Sequence, residues 1–221
     1  MQLKDATVVW AQSQTKGRGQ RGTTWQSEAG KSLTFSLLKR FVHFASVGHI
    51  RVNMATSIGV AKALDLLKIP KVAIKWPNDI MSYDKKLCGI LIENQLKGKL
   101  LSSSIIGIGL NVNNVEFDNL PLAGSMFTIT GKNYELEEVL ELMVRCILEE
   151  LEKLEISSHV ELKTGYEARL FRKDEISVFE HKDGTLLNGI IRGISWDGNL
   201  CVELEDETQA EFGLKEIKLR Y

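Results

Sequence analysis

The sequence predicts an α+β protein with a small β-barrel at its C-terminal end, on three observations. Up to Phe171, strand-like runs are interleaved with two long segments of helical hydrophobic spacing. Beyond Phe171 the texture changes to strand-like pieces of roughly five to eight residues, separated by the turn pairs Asp183-Gly184 and Asp197-Gly198, the pattern of a barrel of about fifty residues. Between the first two strands lies a polar, glycine-rich loop that leads into a strand and not into a helix. A boundary near Arg172 divides the chain into residues 1–171 and 172–221. With 221 residues, 43% of them hydrophobic, the chain can bury a substantial core and carry a small second unit.

Taken in order, Ala6 to Gln12 (ATVVWAQ) is β-branched and aromatic and reads as a strand. The glycine-rich loop runs from Ser13 to Gly30, and Ser32 to Lys39 partly alternates as the next strand. Ile50, Met54, Ile58, Ala61 and Leu64 recur at helical spacing, which predicts an amphipathic helix from about Gly48 to Lys68, closed by Pro70. Val72 to Lys75 is a short strand that runs into a Trp76-Pro77-Asn78-Asp79 loop. Leu87 to Gln95 and Leu100 to Ile108 form a hairpin through Lys97-Gly98-Lys99. Asn111 to Thr130 reads as irregular. Leu136, Val139, Met143, Ile147, Leu151 and Leu154 mark a second helix, and Ser158 to Leu170 a shorter one.

The 28 basic and 29 acidic residues nearly cancel, so nothing global draws the chain to nucleic acid or a membrane surface, and electrostatic recognition must be local. Cys88, Cys146 and Cys201 are scattered and odd in number, which argues against a disulfide framework or a zinc site and suits a reducing cytoplasm. His43, His49, His159 and His181 show no metal-ligand spacing. No apolar run approaches the roughly 18 residues of a membrane span, and the start MQLKDATVVW has no secretory signal pattern. The expectation is a cytoplasmic protein without a nucleic-acid or membrane partner.

Gly17, Gly19 and Gly22 spell G-x-G-x-x-G, but a dinucleotide fingerprint needs a helix opening at the loop to face the pyrophosphate. Here a strand pattern follows, and no Gly-Lys-Ser/Thr closes a P-loop either. Glycines let a backbone approach a ligand closely, and Arg18 and Arg21 supply fixed charge for an anion. The bland alternative is a solvated surface loop. An RG-type nucleic-acid contact is a third reading, opposed by the near-zero net charge and the single interleaved aromatic, Trp25. In the second segment, Asn78 and Asp79 read either as a capped loop with Trp76 as a core plug or as oxygen ligands for Mg²⁺. Lys75 and Lys86 would then add point charges near a triphosphate. Lys86 to Glu93 is an apolar strand entered by a lysine, and Gly107 and Gly109 stand where a strand should carry side chains. Such glycines mark a bulge or the close approach of another backbone or ligand. Simple helix-on-sheet packing explains them too, but an apolar slot floored by glycines, with cations at one end, suits a small flat acid better.

The four segments GRGQRGTTW, KWPND, KLCGILIE and IGIGLNVN, in this order and at these separations, resemble the biotin protein ligase family. Each is weak alone; the ordered set is specific. The resemblance extends from about Ala6 to the C-terminus, with its motifs between Gln14 and Asn113. It implies a mixed-sheet catalytic core related to class II aminoacyl-tRNA synthetases and lipoate ligases, with a small SH3-like C-terminal barrel. It also implies two half-reactions. Biotin's carboxylate attacks the α-phosphate of ATP to give biotinyl-5′-AMP and pyrophosphate. A lysine ε-amine on the biotin carboxyl carrier protein domain of a biotin-dependent carboxylase then takes the biotinyl group and releases AMP. Chemistry of this kind rests on fixed cations and oriented donors, which matches the lack of a Ser-His-Asp or Cys-His pattern. ATP and Mg²⁺ are expected as co-substrate and activator, with no tightly bound metal, in a monomer or homodimer.

The resemblance assigns roles by position. Lys86 would bridge the carboxylate and the α-phosphate as the leading catalytic residue, with Arg18 ordering the glycine loop over both. Gln14, Gly17, Arg18, Gly19, Gln20, Trp25, Lys86, Gly89, Leu91, Gly107 and Gly109 would contact biotin. Arg18, Arg21, Trp25, Lys75, Asn78, Lys86 and Asn111 would serve ATP, and Asp79 would hold Mg²⁺. Gln20 stands where many members carry arginine, which implies altered retention of the adenylate. The family's Ser-Thr-Asn biotin-contact segment and its helix would precede the ATVVWAQ strand, so the start is expected to be truncated. The chain resembles the ligase-only form, without a DNA-binding domain. The competing readings are a lipoate or octanoate ligase or transferase of the same fold, a catalytically impaired biotin-binding protein, and a nucleic-acid module.

Overall fold

The structure, a computed structural model, describes residues 3–45, 49–155 and 158–221, and of Arg21, His43, His49 and Glu155 the backbone alone. The glycine-rich loop lies between β1 (Val8–Ala11) and β2 (Ser32–Ala45), and α1 (His49–Leu66) follows. β3 (Val72–Lys75), β4 (Asp79–Ser82), β5 (Lys85–Lys97) and β6 (Leu100–Asn111) complete a six-stranded sheet in the order β1-β2-β6-β5-β4-β3. After α2 (Met126–Thr130), α3 (Leu136–Glu152) and α4 (His159–Glu167), a second sheet begins. Its five strands are β7 (Ile176–His181), β8 (Leu186–Ile194), β9 (Leu200–Leu204), β10 (Gln209–Phe212) and β11 (Ile217–Arg220), in the order β10-β9-β8-β7-β11. The ladders between these strands are antiparallel. Among the described residues, parallel pairing is confined to the isolated bridges Ile74–Leu170, Lys86–Ala123 and Lys173–Ile191.

Three elements differ from the sequence pattern, each for a physical reason. Gly48, where the spacing starts the first helix, lies outside the described residues, and α1 is less one-sided than an amphipathic helix. Val52, Met54, Ala55, Thr56, Ser57, Val60, Ala61, Ala63 and Leu64 are all buried, because α3, α4 and the sheet surround it. Asp79 is not in a loop. It opens β4 opposite Lys75, with Ile80 opposite Ile74, so the turn is Trp76-Pro77-Asn78 with a cis Trp76–Pro77 bond. A four-residue strand beside an Asn-Asp pair is too short for periodicity to register. Finally, α2 closes the otherwise irregular stretch after Asn111. Ser125 Oγ accepts from the Thr128 N–H at 3.0 Å, and Gly131 ends the helix at φ 70°.

One continuous apolar cluster runs through the molecule. Leu33, Leu37, Ile106 and Leu110 of the first sheet pack with Val60 and Leu64 of α1 and with Met143 and Ile147 of α3, and the cluster extends to Phe179, Ile191 and Val202 of the second sheet. Polar contacts fix the seam. Trp76 Nε1 donates to the Gly198 carbonyl at 2.9 Å, and the Ile194 N–H donates to Glu167 Oε1 at 2.8 Å. Ile74 bonds through both its N–H and C=O to Arg169 and Phe171. The second sheet is thus held against the end of the first sheet that carries Lys75 and Asp79. No described helix is long and apolar enough to cross a membrane.

Candidate active site

Side chains alternate across a strand, so residues two apart share a face. In β5 that places Gly89, Leu91 and Glu93 together, and in β6 Gly109, Gly107 and Ile105. The register then sets Gly89 opposite Gly109, Leu91 opposite Gly107 and Glu93 opposite Ile105. β2 adds Thr34 opposite Gly109 and Ser36 opposite Gly107. These residues line one cleft of about 340 Å³, together with Gln14, Arg18, Gly19, Gln20, Trp25, Asn78, Asp79 and Lys86. Most of the residues assigned from the sequence therefore meet on one face of the sheet.

The glycine loop folds back over that face. Its Gly19 N–H donates to the Thr23 carbonyl at 2.7 Å and the Trp25 N–H to the Gly17 carbonyl at 3.0 Å. A Cβ on Gly17 would stand 2.3 Å from the Trp25 carbonyl oxygen, so only glycine permits this closure. Gln14 Oε1 lies 2.9 Å from the same point. Gln20 begins a short 3₁₀ turn, and its carbonyl accepts from Thr23 Oγ1 at 2.9 Å. The side chain of Arg21 lies outside the described residues. Arg18 makes a two-pronged pair with Glu93, Nη1–Oε1 at 3.1 Å and Nη2–Oε2 at 3.0 Å. At 71% and 49% side-chain exposure this pair contributes at most about 1 kcal/mol, so a ligand anion can displace Glu93 at little cost.

Trp25 lies on the glycine floor. A Cβ on Gly109 would be 2.4 Å from Trp25 Cε2, and one on Gly89 would be 3.2 Å from Cζ3. The paired glycines thus carry the indole, whereas Gly107 faces only Leu91. Trp25 Nε1 is buried against this floor, 2.7 Å from where a Cβ on Gly109 would stand, with no hydrogen-bond partner among the described residues.

On the far side of the indole is a second cavity of about 560 Å³, lined by Lys75, Asn111, Asn114, residues 116–123 and Tyr221. Thr24, Trp25, Asp79 and Lys86 line both cavities. Lys86 is fixed there from three sides. Its N–H donates to the Leu122 carbonyl at 2.8 Å, and its carbonyl accepts from the Gly124 N–H at 3.0 Å. Its Nζ pairs with Asp79 Oδ1 at 2.6 Å and stands 5.8 Å from the Trp25 ring centroid. Asn111 Nδ2 donates to the Gly124 carbonyl at 3.0 Å, and Asn78 Nδ2 to the Ile90 carbonyl at 2.8 Å. Both asparagine amides therefore brace the walls.

Burial pushes the Lys75 ammonium below the ordinary lysine range, opposed by the Asp79 carboxylate and reinforced by Lys86 and Lys218. Burial, with the Asp79 and Asp84 carboxylates, pushes the Tyr221 phenol up to about 12. Burial also drives the Cys88 thiol well above its usual range, so it offers no thiolate nucleophile. No group of three or more His, Cys, Asp or Glu side chains converges on a metal position among the described residues. The Asp79 carboxylate, beside Lys86, suits an ion that arrives on phosphates and keeps its waters, as Mg²⁺ does.

Sequence reasoning missed three contributors. Glu93 shares the face of Gly89 and Leu91, so alternation carried its signal. The 122–124 segment that grips Lys86, and Tyr221 from the second sheet, reach the site only through tertiary folding.

The description of the Biotin/lipoate A/B protein ligase family matches residues 1–111. The bifunctional ligase/repressor BirA of Escherichia coli is 28% identical over 99% of this chain and 68% of its own length. Across four BirA relatives the matched part is 33% to 68% of their length. The biotin--[acetyl-CoA-carboxylase] ligase of Mycobacterium tuberculosis is 27% identical over 92% of this chain and 76% of its own. The solved structure of biotin protein ligase from Aquifex aeolicus, in complex with biotin and ATP, superposes with a TM-score of 0.80 at 29% identity, covering 100% of this chain and 91% of that one. The four motifs converge on one cleft and the family description matches 111 of 221 residues, and so the chain belongs to the Biotin/lipoate A/B protein ligase family, on its biotin protein ligase side.

Proposed function

We propose that this protein activates biotin with ATP to biotinyl-5′-AMP and transfers the biotinyl group to a lysine of a biotin carboxyl carrier protein domain. The observation that carries the reading is the position of Lys86, which lines both cavities and is held on two backbone bonds and an ion pair. Biotin occupies the slot along Leu91 and Gly107, beside the Trp25 ring, with its carboxylate toward Lys86. ATP occupies the second cavity, with its α-phosphate at the same ammonium. Two anions that repel one another are brought together across one fixed cation, which is where electrostatic stabilisation of the transition state is worth most.

In the first step a carboxylate oxygen forms a bond to the α-phosphorus, and the bond to the bridging oxygen breaks, with its electron pair leaving on pyrophosphate. In the second, the neutral carrier amine attacks the anhydride carbonyl, the carbonyl carbon–oxygen bond breaks with its electron pair leaving on AMP, and the amine's proton passes to solvent. Asp79 would hold a Mg²⁺ ion carried on the triphosphate, which would offset the phosphate charge. Arg18 exchanges Glu93 for the adenylate phosphate and so closes the glycine loop; Gln20 leaves that closure one charge weaker than an arginine would. Lys75 and Asn111 serve the nucleotide. The partner is a biotin-dependent carboxylase and the setting the cytoplasm.

The test is direct. The protein, MgATP and biotin are incubated with an apo carrier domain, and the carrier is weighed by intact-mass spectrometry. A single biotinyl addition on one lysine is the expected result. An unmodified carrier, or equal modification with lipoate, would overturn the assignment.

A further inference from the structure

Tyr221 belongs to none of the four motifs, yet it closes the nucleotide-side cavity. It follows β11, whose pairing with β7 sets Arg220 opposite Val178 and carries the chain across the seam to the end of β3. There Lys75 Nζ donates to Tyr221 Oη at 3.2 Å, and the same ammonium stands 4.7 Å from the ring centroid. The ring is itself braced. Phe171 meets it edge-on, with centroids 5.2 Å apart at 70°, and the Arg172 guanidinium lies 5.6 Å from its centroid. Arg172 in turn reaches Asp84 at 3.4 Å.

A lysine ammonium is a point charge on a flexible four-carbon stem, so its use against phosphate depends on what holds the stem. Here a hydroxyl acceptor and an aromatic face restrain it from one side. Resting on the reading that this cavity takes the nucleotide, we propose that Tyr221 is a positioning residue for the nucleoside triphosphate. It orients the Lys75 ammonium into the cavity and makes no contribution to the biotin slot. The second sheet thereby supplies part of the nucleotide site through a single side chain.

Tyr221→Phe removes Oη and keeps the ring, whereas Tyr221→Ala removes both. Affinities for MgATP and, separately, for biotin are measured by calorimetry on the full chain and both variants, with thermal midpoints alongside. The expected result is MgATP binding weakened about three- to tenfold in Tyr221→Phe, the scale of one hydrogen bond, and further in Tyr221→Ala. Biotin affinity, and the thermal midpoint of Tyr221→Phe, stay unchanged. Equal MgATP affinity in all three proteins would overturn the proposal. So would a parallel loss of MgATP affinity, biotin affinity and thermal midpoint, which is the signature of a seam contact alone. If the full chain binds MgATP but not biotin, the proposed function fails while the variants still decide the role of Tyr221. If it binds no MgATP, both fall.

Discussion

The cleft proposed for biotin and the cavity proposed for the nucleotide meet at Lys86 but are assembled differently. The floor of the slot comes from three adjacent strands in register, with Gly89, Leu91 and Glu93 of β5 facing Gly109, Gly107 and Ile105 of β6 and Thr34 and Ser36 of β2 alongside. The nucleotide-side cavity draws Lys75 from the end of β3, Asn111 from the end of β6, residues 116–123 from an irregular segment and Tyr221 from beyond β11. A site written in strand alternation is local in sequence and stiff in space. A site gathered from segments so far apart depends on the seam between the two sheets. The slot should therefore respond to volume changes on its floor, and the cavity to charge and anchoring.

The largest expected effect lies at the junction. Lys86→Ala removes the one cation that lines both cavities among the described residues and should lower biotin-dependent pyrophosphate exchange by at least about a hundredfold, the scale for losing one electrostatic stabiliser. An unchanged exchange rate would mean that the two halves are not joined through Lys86.

The next effect separates two glycines of the slot. A Cβ on Gly109 meets Trp25 Cε2 at 2.4 Å, whereas one on Gly107 meets the Leu91 carbonyl at 3.3 Å. Overpacking of the first kind costs about 1–3 kcal/mol. Gly109→Ala should therefore shift Trp25 fluorescence and weaken biotin binding by about tenfold or more. Gly107→Ala should leave the fluorescence in place. Equal fluorescence changes in both variants would show that the indole does not rest on the paired glycines.

On the nucleotide side the matching probe is pH. Burial lowers the Lys75 pKa, so the ammonium that attracts phosphate is lost at a lower pH than for an exposed lysine. MgATP affinity should fall as pH rises toward the ordinary lysine range, and Lys75→Arg, charged throughout, should move that fall upward. Biotin affinity should not follow it. Coincident pH profiles for the two ligands would erase the distinction between the halves.

The same contrast explains what was legible from sequence. The glycine loop, the KWPND segment and the two glycine-bearing strands are each contiguous, so they carry the family resemblance, and Gln14, Arg18, Trp25, Lys86, Gly89, Leu91, Gly107 and Gly109, which that resemblance implies as site residues, line one cleft. β4 escaped because four residues beside a turn pair carry no usable period, and Asp79 was read into the loop on that account. The burial of α1 on several sides depends on α3 and α4, which its own spacing does not encode. The sequence does not show that the Asn78 and Asn111 amide nitrogens bond to the Ile90 and Gly124 carbonyls, since those partners are set by the fold. Tyr221 had no motif, since its role comes from where β11 ends in space.

The smallest effect belongs to the Arg18–Glu93 pair. Both side chains are largely exposed, so Glu93→Gln should change unfolding free energy by no more than about 0.5 kcal/mol. Hydrogen exchange at the Gly19 and Trp25 amides should nonetheless quicken, because those loop bonds lose their tether. Unaltered exchange at both amides would show that Glu93 does not hold the loop.

The most direct test of the whole account is biotin-dependent exchange of labelled pyrophosphate into ATP, with lipoate as the control acid. The expected result is exchange with biotin, none with lipoate, and loss of the biotin signal in Lys86→Ala. No exchange with biotin, or equal exchange with lipoate, would contradict the assignment of this cleft to biotin adenylation.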